Sequence, residues 1–509
     1  MRPTVQFGGA VESGPTFFTR WQRSASALAG CGVQAGDVVA LMLRNEPVML
    51  ELMLATRWLG GRWCPVNWHF KAAELRHILA DSGAKLLVIH ADLLAQLEGA
   101  IPPGVRVFVV APQAHTRQAC RLVDADCSVP AGLPNWDSVR DAASTTPPPQ
   151  QAPGSAMVYT SGTTGLPKGI RREVATPAQL QALSEATAIV LGMQAGMRVL
   201  ISAPIYHSAP STYVLQSALR DAHIVIEPRF DAARTLALIE SERISHLYLV
   251  PTMYVRLLGL DEATRRRHDL SSVRFVASTG SPCPPEIKRR MIDWWGPVIH
   301  EGYAASELGW VTHIDSAQAL RKPGAAGRAL PGVRLAVLAE GGRPLPAGEV
   351  GLVHARSDAM ADFSYIHNDA ARQRLETDGL WTLGDLGFLD DDGCLTLVDR
   401  QSDMVISGGV NIYPAEIEAQ LLTMPGVADA AVFGIPDDEY GETLAAALQL
   451  QAGAVIDADA VRDFLRPRLA GYKLPRRIDF HAALPREDSG KIFKRRLREP
   501  FWAGRARRV

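Results

Sequence analysis

One short segment of the chain combines glycines, hydroxyl residues and a lysine in a way that suits phosphate. It runs Tyr159-Thr-Ser-Gly-Thr-Thr-Gly-Leu-Pro-Lys-Gly169 and follows a short apolar stretch. Glycines let the backbone turn tightly and approach a ligand closely, and successive backbone N–H groups in such a turn form a concave anion site. Lys168 adds a mobile positive charge. We therefore predict that this segment, called the phosphate loop below, binds a phosphate-bearing ligand.

The phosphate loop is not a Walker A sequence, because the spacing Gly-x-x-x-x-Gly-Lys-Ser/Thr cannot be placed on it. A P-loop NTPase, which transfers a γ-phosphoryl group, is therefore disfavoured. The plain structural alternative is a flexible surface turn. The density of hydroxyl residues and glycines in this segment, together with the lysine, argues against that alternative.

Strands that alternate with helices on both sides of the phosphate loop favour parallel sheets covered by helices on both faces. We predict strands at 38–43, 63–66, 85–89, 198–203, 246–250 and 273–278, and helices at 20–28, 47–58, 74–81 and 232–241. The proline-rich stretch 145–153 is typical of an exposed linker. A second boundary is expected near 399–403. Beyond that boundary, strands at 428–433, 444–450 and 477–480, a turn at 436–438 and a helix at 457–469 indicate a small α+β domain.

Composition excludes several classes of protein. The chain has 509 residues, too many for one hydrophobic core, and its formal charge of −1 gives no reason to propose a nucleic-acid partner. The six cysteines form no CxxC pair and no zinc-ligand spacing, as expected of free thiols in a reducing compartment. No signal-peptide pattern is visible, and we expect a cytoplasmic protein, with peripheral membrane contact left open. The basic end, 491–508, is typical of a solvated surface helix or of a contact for ligand phosphates or an anionic surface.

The phosphate loop resembles the phosphate-binding signature of the adenylate-forming superfamily, which holds acyl-CoA synthetases, firefly luciferases and peptide-synthetase adenylation domains. Further segments resemble this family in the expected order, over nearly the whole chain: 203–210, 278–282, 300–307, 380–387, 399–400, 407–418 and 484–494. The resemblance implies a large N-terminal α/β domain (1–400) of parallel and mixed sheets layered with helices, including a β-barrel-like subdomain. It also implies a small mobile α+β C-terminal domain (401–509), with a hinge at about 400–402.

The same resemblance implies roles for individual residues. His207 would line the acyl pocket, Tyr303 would stack on adenine, and Glu307 would hold Mg²⁺ through a hard carboxylate oxygen. Asp385 would accept hydrogen bonds from both ribose hydroxyls, and Lys491 would be the adenylation lysine. Thr163 is grouped with the catalytic residues. The other expected contacts to nucleotide or CoA are Thr160, Ser161, Gly162, Thr164, Gly165, Lys168, Gly280, Ser281, Ser306, Arg400, Gly408 and Gly409.

The chain departs from the family pattern at several positions. Ala304 replaces a glycine, which adds a methyl group beside the expected acyl pocket, and Ser306 replaces a threonine but keeps its hydroxyl. The hinge position that is commonly Asp or Lys is Ser402, followed by Asp403, so the pivot residue stays open.

The resemblance implies an ATP-dependent carboxylic acid–CoA ligase, which uses ATP, Mg²⁺ and coenzyme A and forms an acyl-adenylate before the thioester. No acidic residue occurs between Ala203 and Arg220, which favours an acid without an amino group. Tyr206, Met253 and Trp310 are expected lining residues and favour an apolar fatty, aromatic or polycyclic acid. A carrier protein, an amine or O₂ as the acceptor is left open, and a homodimer is compatible with the resemblance. Five intact motif residues disfavour a catalytically silent scaffold: Lys168, Glu307, Asp385, Arg400 and Lys491.

Overall fold

The computed structural model describes residues 2–97, 99–160, 167–408, 410–486 and 492–503. The chain forms two compact units. The first comprises Met1–Gly280, Trp295–Trp310 and Ser357–Arg374. The second comprises Ser281–Trp294, Val311–Arg356 and Leu375–Val509. The domain boundary at about residue 400 stays a prediction.

A four-stranded parallel sheet stands near the start of the first unit. Its strands lie in the order Arg62–Pro65, Val38–Met42, Ala84–His90 and Arg106–Val110. Nearly every residue of the inner strands is buried, as expected of parallel strands covered on both faces. The helices Gly14–Gly30, Pro47–Trp58 and Ala72–Ser82 fall between these strands in sequence or precede them. The predicted strands and helices of this region are therefore confirmed, with ends that shift by a few residues.

The helix Pro47–Trp58 buries a carboxylate. Glu51 has a fully buried side chain, and it pairs with Arg20 and, at 3.5 Å, with Arg140. The Oγ of Ser24 and the indole N–H of Trp136 also donate to it. Burial opposes the charge of Arg20, but the carboxylates of Glu51, Glu12 and Asp137 together outweigh burial and raise the pKa of that guanidinium. These partners satisfy a charge that could not otherwise be buried in an apolar helix.

The second sheet of the first unit is built mostly from parallel strands. Their order is Ile299–Ala305, Phe275–Ser278, His246–Leu249, Arg198–Ile201, His223–Ile226, Thr4–Phe7 and Ala10–Glu12, and only the last pair is antiparallel. A third small sheet of the unit contains Tyr159–Thr160, Lys168–Arg172 and Phe363–Tyr365. The remaining helices of the unit are Ala114–Cys120, Trp136–Asp141, Pro177–Leu191, Ser208–Leu219, Ala232–Ser241, Pro251–Leu258, Glu262–Arg266 and Asp369–Gln373, with short 3₁₀ turns at Ala91–Leu93, Ala95–Leu97 and Asp124–Cys127.

The second unit contains an antiparallel group of strands, in the region where the resemblance implies the barrel-like subdomain. Their order is Val333–Leu338, Gly351–Ser357, Leu380–Leu389, Cys394–Arg400, Ala325–Ala329 and Gly309–Ile314, with Glu376–Thr377 beside Leu380–Leu389. The helices Pro285–Trp295 and Ser316–Arg321 accompany them.

A smaller mixed sheet forms the end of the second unit and confirms the predicted α+β pattern. It contains Val410–Ile412, Val405–Ser407, Gly441–Leu450 and Val427–Asp437, and Arg477–His481 adds in parallel. The helices are Pro414–Leu421, Ala458–Leu465 and Lys494–Trp502, with a 3₁₀ turn at Gly471–Lys473.

Two expected boundaries in this small sheet are wrong, each for a local reason. The strand Val427–Asp437 includes the first two residues of the predicted turn at 436–438, because the reversal comes slightly later, where Asp437 Oδ1 accepts the backbone N–H groups of Glu439 and Tyr440. The predicted helix 457–469 ends at Leu465, because Pro467 has no backbone N–H with which to continue the helical hydrogen-bond ladder. Within the described residues, no helix has the length and apolar character that crossing a bilayer requires.

Candidate active site

The two ends of the phosphate loop form a short antiparallel ladder. Thr160 lies opposite Lys168, and Tyr159 lies opposite Gly169. A Cβ at position 169 would come within 2.7 Å of both the Tyr159 ring and Ile366, so only glycine fits there. Thr160 and Lys168 are half-buried. Ser161, Gly162, Thr163, Thr164 and Gly165 lie outside the described residues, and their phosphate contacts stay predictions.

Glu307 is joined to this ladder through Tyr365. The phenol O–H of Tyr365 donates to Glu307 Oε1 at 3.0 Å, and the Lys168 Nζ lies 5.6 Å from the centroid of the Tyr365 ring. Both Glu307 and Tyr365 are buried. Burial and the negative charge of Glu307 raise the pKa of Tyr365, so its hydroxyl remains a donor at any working pH. The lysine and the carboxylate that the sequence singled out therefore lie on either side of one tyrosine.

Arg172 fixes the backbone next to that carboxylate. Its guanidinium donates to the carbonyl oxygens of Ser306 at 2.6 Å, Glu307 at 2.7 Å and Ala361 at 2.8 Å. Burial penalises its charge and lowers its pKa to about 10, against the raising influence of the Glu307 and Asp362 carboxylates. It remains charged at neutral pH and holds the segment that carries Ser306 and Glu307.

The strand Ile299–Ala305 carries Tyr303 and leads into Ser306. It runs parallel to Phe275–Ser278, with Ser278 opposite Glu301, so the carboxyl ends of both strands point to the same edge. Tyr303 and Ser306 are half-buried. At the end of the neighbouring strand, Gly280 has a φ of +93°, a conformation that favours glycine, and Thr279 shares a hydrogen bond of 2.6 Å with the Tyr248 hydroxyl.

His207 belongs to an aromatic group in the same unit. Its ring lies 4.3 Å from the Tyr206 ring, and Tyr206 contacts Trp68 edge to face at 4.6 Å between centroids. Asn45 fixes the backbone before Tyr206, because its side chain donates to the Ala203 carbonyl and accepts the N–H of Ile205. His207 precedes the helix Ser208–Leu219 as its N-cap residue. The predicted acyl-pocket histidine therefore lies beside two buried aromatic side chains, Tyr206 and Trp68.

The second unit brings Asp385 and Arg400 together. They are paired residues of the antiparallel strands Leu380–Leu389 and Cys394–Arg400, and Arg400 Nε donates to Asp385 Oδ1 at 3.1 Å. Asp385 is buried, whereas about half of the Arg400 side chain is exposed. Ser281 is exposed at the start of this unit.

The region after Arg400 contains a partly buried ion pair. Lys494 Nζ lies 2.8 Å from Glu418 Oε1, and Asp399 accepts the backbone N–H groups of Arg400 and Ala415. Burial opposes the charge of Lys494, but the carboxylates of Glu418, Asp399 and Asp403 together outweigh burial and raise the pKa of Lys494. This pair therefore anchors the first residue of the helix Lys494–Trp502, and Arg498 of that helix donates to the Ser402 carbonyl at 3.2 Å.

Two of the predicted residues of this region, Gly409 and Lys491, lie outside the described residues. Gly408 is described: it has a φ of +58°, and its N–H donates to the Tyr440 carbonyl at 2.9 Å. A Cβ at position 408 would lie 2.9 Å from Tyr440. The position therefore favours glycine because of its backbone conformation and its packing against Tyr440, and its contact with CoA stays a prediction.

The residues present are compatible with a Mg²⁺ ligand at Glu307. No group of three or more His, Cys, Asp or Glu side chains that could hold a metal occurs among the described residues. Magnesium in sites that bind nucleoside triphosphates needs only one or two carboxylates, because substrate phosphates and water complete its shell. Glu307 supplies one hard oxygen donor, oriented by Tyr365.

Sequence reasoning missed Arg172, Tyr365, Trp68 and Asn45. A signal for Arg172 was present, since it lies four residues after Lys168 in one strand and so shares its face. Tyr365 is 58 residues from Glu307 in the chain, and no local pattern links the two.

Comparison with known proteins supplies the family. The family described as "AMP-binding enzyme" matches residues 9–363, and the "AMP-binding enzyme C-terminal domain" matches residues 416–491. A feruloyl-CoA synthase of Amycolatopsis sp is 34% identical over 502 residues, covering 98% of this chain and 95% of that protein. A long-chain fatty acid–CoA ligase of Mycobacterium tuberculosis is 32% identical over 94% of this chain and 91% of its own length.

Among solved structures, the o-succinylbenzoate CoA synthetase of Bacillus subtilis, in complex with its acyl-adenylate intermediate, superposes with a TM-score of 0.80. It is 26% identical, and the alignment covers 97% of this chain and 95% of that one. The ordered motifs, the geometry around Glu307 and these likenesses agree, and the chain belongs to the AMP-binding enzyme family.

Proposed function

We propose that this enzyme is an ATP-dependent carboxylic acid–CoA ligase that acts on an apolar acid. The observation that carries the proposal is the arrangement of Lys168, Tyr365 and Glu307, in a chain that is similar throughout its length to CoA ligases. A carboxylate is a poor electrophile toward a thiol. ATP converts its oxygen into part of AMP, which is a good leaving group.

In the first half-reaction, a carboxylate oxygen of the acid attacks the α-phosphorus of ATP, and the bond from that phosphorus to pyrophosphate breaks. Negative charge on the phosphate oxygens must be met by donors and cations that are already in place. Thr160 and Ser306 would donate hydroxyl groups, and Lys168 would bring positive charge. Lys491 would complete this set in the adenylating state, as the family resemblance implies.

Glu307 would hold Mg²⁺ during this step, with Tyr365 fixing the orientation of its carboxylate. When bound, the ion would offset charge on the phosphates of ATP. Arg172 keeps the Glu307 backbone in place through its three carbonyl contacts. The Glu307 carboxylate keeps its negative charge, because its partner Tyr365 is neutral and Arg172 contacts its backbone. Such a carboxylate is suited to bind a metal ion as the only protein carboxylate in the site.

In the second half-reaction, the sulfur of coenzyme A attacks the acyl carbonyl, a carbon–sulfur bond forms, and AMP leaves with the former carboxylate oxygen. The resemblance implies that residues 401–509 rotate about the Arg400–Ser402 hinge between the two steps. This rotation would withdraw Lys491 and bring Gly408 and Gly409 to the pantetheine arm. Asp385 would bind the ribose hydroxyls, and Tyr303, with Gly280 and Ser281, would contact adenine.

The acid is expected to be apolar and without an amino group. His207, Tyr206 and Trp68 form a contiguous aromatic group, and no acidic side chain occurs between Ala203 and Arg220 to hold an ammonium. Fatty, aromatic and polycyclic acids all satisfy this chemistry. The likeness to a feruloyl-CoA synthase and to a fatty acid–CoA ligase supports the same range.

The test is AMP release from ATP and Mg²⁺ with a panel of aliphatic, aromatic and polycyclic acids, each with and without coenzyme A. CoA-dependent AMP release with one class of acid is the expected result, and it identifies the substrate class as well. Acid-dependent exchange of pyrophosphate into ATP without any effect of CoA would instead favour the second candidate, an adenylating enzyme that loads a carrier protein. The absence of both activities across the panel would contradict the proposal.

A further inference from the structure

The ladder that carries Thr160 and Lys168 is too short to hold its own position. Tyr159–Thr160 is a two-residue strand, and its register with the following strand consists of two residue pairs. The strand Lys168–Arg172 is also paired with Phe363–Tyr365 on its other side, but Tyr159–Thr160 lies at the edge of this small sheet. Two residue pairs give an edge strand only marginal support. Something outside the ladder must therefore fix the residues that are predicted to meet the phosphates of ATP.

The helix Ala72–Ser82 contacts both ends of the phosphate loop. His77 Nε2 lies 2.9 Å from the carbonyl oxygen of Pro167, just before Lys168. Because a carbonyl oxygen can only accept, Nε2 carries the proton and donates. Asp81 Oδ2 accepts the hydroxyl hydrogen of Tyr159 at 2.7 Å, just before Thr160. One helix thus holds the residue before each of the two predicted phosphate ligands.

The spacing of the two contacts follows from helical geometry. His77 and Asp81 are four residues apart, so their side chains lie one above the other on one face of the helix. The His77 ring also meets the Tyr159 ring edge-on, with centroids 6.4 Å apart. Both side chains are half-buried, which gives their hydrogen bonds more weight than at an exposed surface.

The opposite face of the same helix is anchored in the core. Leu75, Ile78 and Leu79 are almost fully buried and belong to the hydrophobic cluster of the four-stranded parallel sheet. Tyr159 packs against this cluster as well. The helix is therefore fixed to the core on one face, and on the other face His77 and Asp81 bind both ends of the phosphate loop.

We propose that His77 and Asp81 are positioning residues that hold the ladder of Thr160 and Lys168 in register for the phosphates of ATP. This proposal rests on the proposed function, since it assigns no chemistry of its own. Lys168 in turn lies over Tyr365, which orients Glu307. A shift of the ladder would therefore move the Lys168 ammonium group and disturb the orientation of the Glu307 carboxylate. We expect it to weaken the binding of ATP more than the binding of the acid.

The experiment compares single substitutions at the two contacts. Tyr159→Phe and His77→Phe each remove one hydrogen bond and keep an aromatic ring in place. Each should raise the KM for ATP roughly tenfold, the loss expected for one hydrogen bond, while the KM for the acid changes less than about twofold. Asp81→Asn keeps an acceptor for the Tyr159 hydroxyl, so it should remain closer to wild type than Asp81→Ala.

His223→Phe is the matched control, because His223 Nε2 makes a hydrogen bond of 3.1 Å to Gln6 in the same unit, away from the loop. The His223→Phe variant should leave the ratio of the KM for ATP to the KM for the acid unchanged. Variants at 77 and 159 that lower the melting temperature but keep that same ratio would overturn the positioning role. Failure of the proposed function is a distinct result, since wild type and the control would then lack acid-dependent ATP–pyrophosphate exchange as well.

Discussion

The two carboxylates predicted to serve ATP are held by different partners. Tyr365, a neutral donor, bonds the buried Glu307, while the charge of Arg172 is directed at the neighbouring backbone carbonyls. Asp385 instead receives its hydrogen bond from Arg400, whose side chain is about half exposed. A neutral partner orients a carboxylate without neutralising it, as a metal ligand requires. An exposed cation can exchange its contacts with solvent or substrate, which suits a ribose site.

Loss of the Glu307 charge should have the largest effect. Glu307→Gln keeps an oxygen that can accept from Tyr365 but removes the negative charge that would hold Mg²⁺. We expect adenylation, measured as acid-dependent ATP–pyrophosphate exchange, to fall roughly 10²- to 10³-fold. Raising the Mg²⁺ concentration should recover part of the activity.

Tyr365→Phe is the control for this substitution, because it leaves the charge and removes only the orienting hydroxyl. Its loss should be smaller, about tenfold. If Tyr365→Phe proves as damaging as Glu307→Gln, the hydroxyl itself touches the reacting groups, and the distinction between an oriented and a neutralised carboxylate fails.

Lys491→Ala should separate the half-reactions. Adenylation should fall on the order of 10²-fold, because an oriented charge is lost, whereas thioester formation from supplied acyl-AMP should survive. Gly409→Leu should do the reverse by obstructing the pantetheine arm. Single-turnover assays of each half-reaction provide the measurement, and equal losses in both steps would remove the assigned roles.

Replacing Arg172 and Arg400 by lysine, one at a time, tests whether the arginines near the two carboxylates differ in their contribution to stability. Arg172→Lys replaces a planar fork that contacts three carbonyls with a single ammonium group. We expect a loss of about 2 kcal/mol in the free energy of unfolding, seen as a lower melting temperature of the purified enzyme. If Arg172→Lys lowers the melting temperature no more than Arg400→Lys does, Arg172 is dispensable to the fold.

Arg400→Lys should have the smallest effect. The Arg400 side chain is half exposed, and an exposed ion pair is worth no more than about 1 kcal/mol. The melting temperature should therefore stay close to that of wild type, with a change of a few-fold in the KM for ATP as the main consequence. A large drop in melting temperature would place Arg400 among the structural residues instead.

Much of the fold was accessible from sequence, because the evidence for it is local. Runs of apolar residues bounded by Gly and Asp predicted the inner parallel strands, and the helices 47–58 and 232–241 agree with the structure to the residue. The end of the helix Ala458–Leu465 was also readable, from Pro467, although the prediction ran past it. The strand Val427–Asp437 shows the opposite case, in which pairing with Gly441–Leu450 carries a strand through residues typical of a turn.

In the candidate site, too, local features were predictable from the sequence and long-range contacts were not. The motif residues were visible because their types and order are distinctive, but their supporting contacts come from distant parts of the chain. Arg172 reaches Ser306 across 134 residues, and Tyr159 reaches Asp81 across 78. Such contacts depend on how sheets and helices assemble, and no periodicity in a single segment encodes them.

The buried carboxylate of Glu51 has a consequence for how the protein is made. Its partners come from the helix before it, Arg20 and Ser24, and from Trp136 and Arg140, which the ribosome adds more than eighty residues later. Until those later residues emerge, part of the charge on the helix Pro47–Trp58 lacks its native partners, and full burial is opposed. We therefore expect this region of the nascent chain to remain sensitive to protease until Trp136 and Arg140 have left the ribosome.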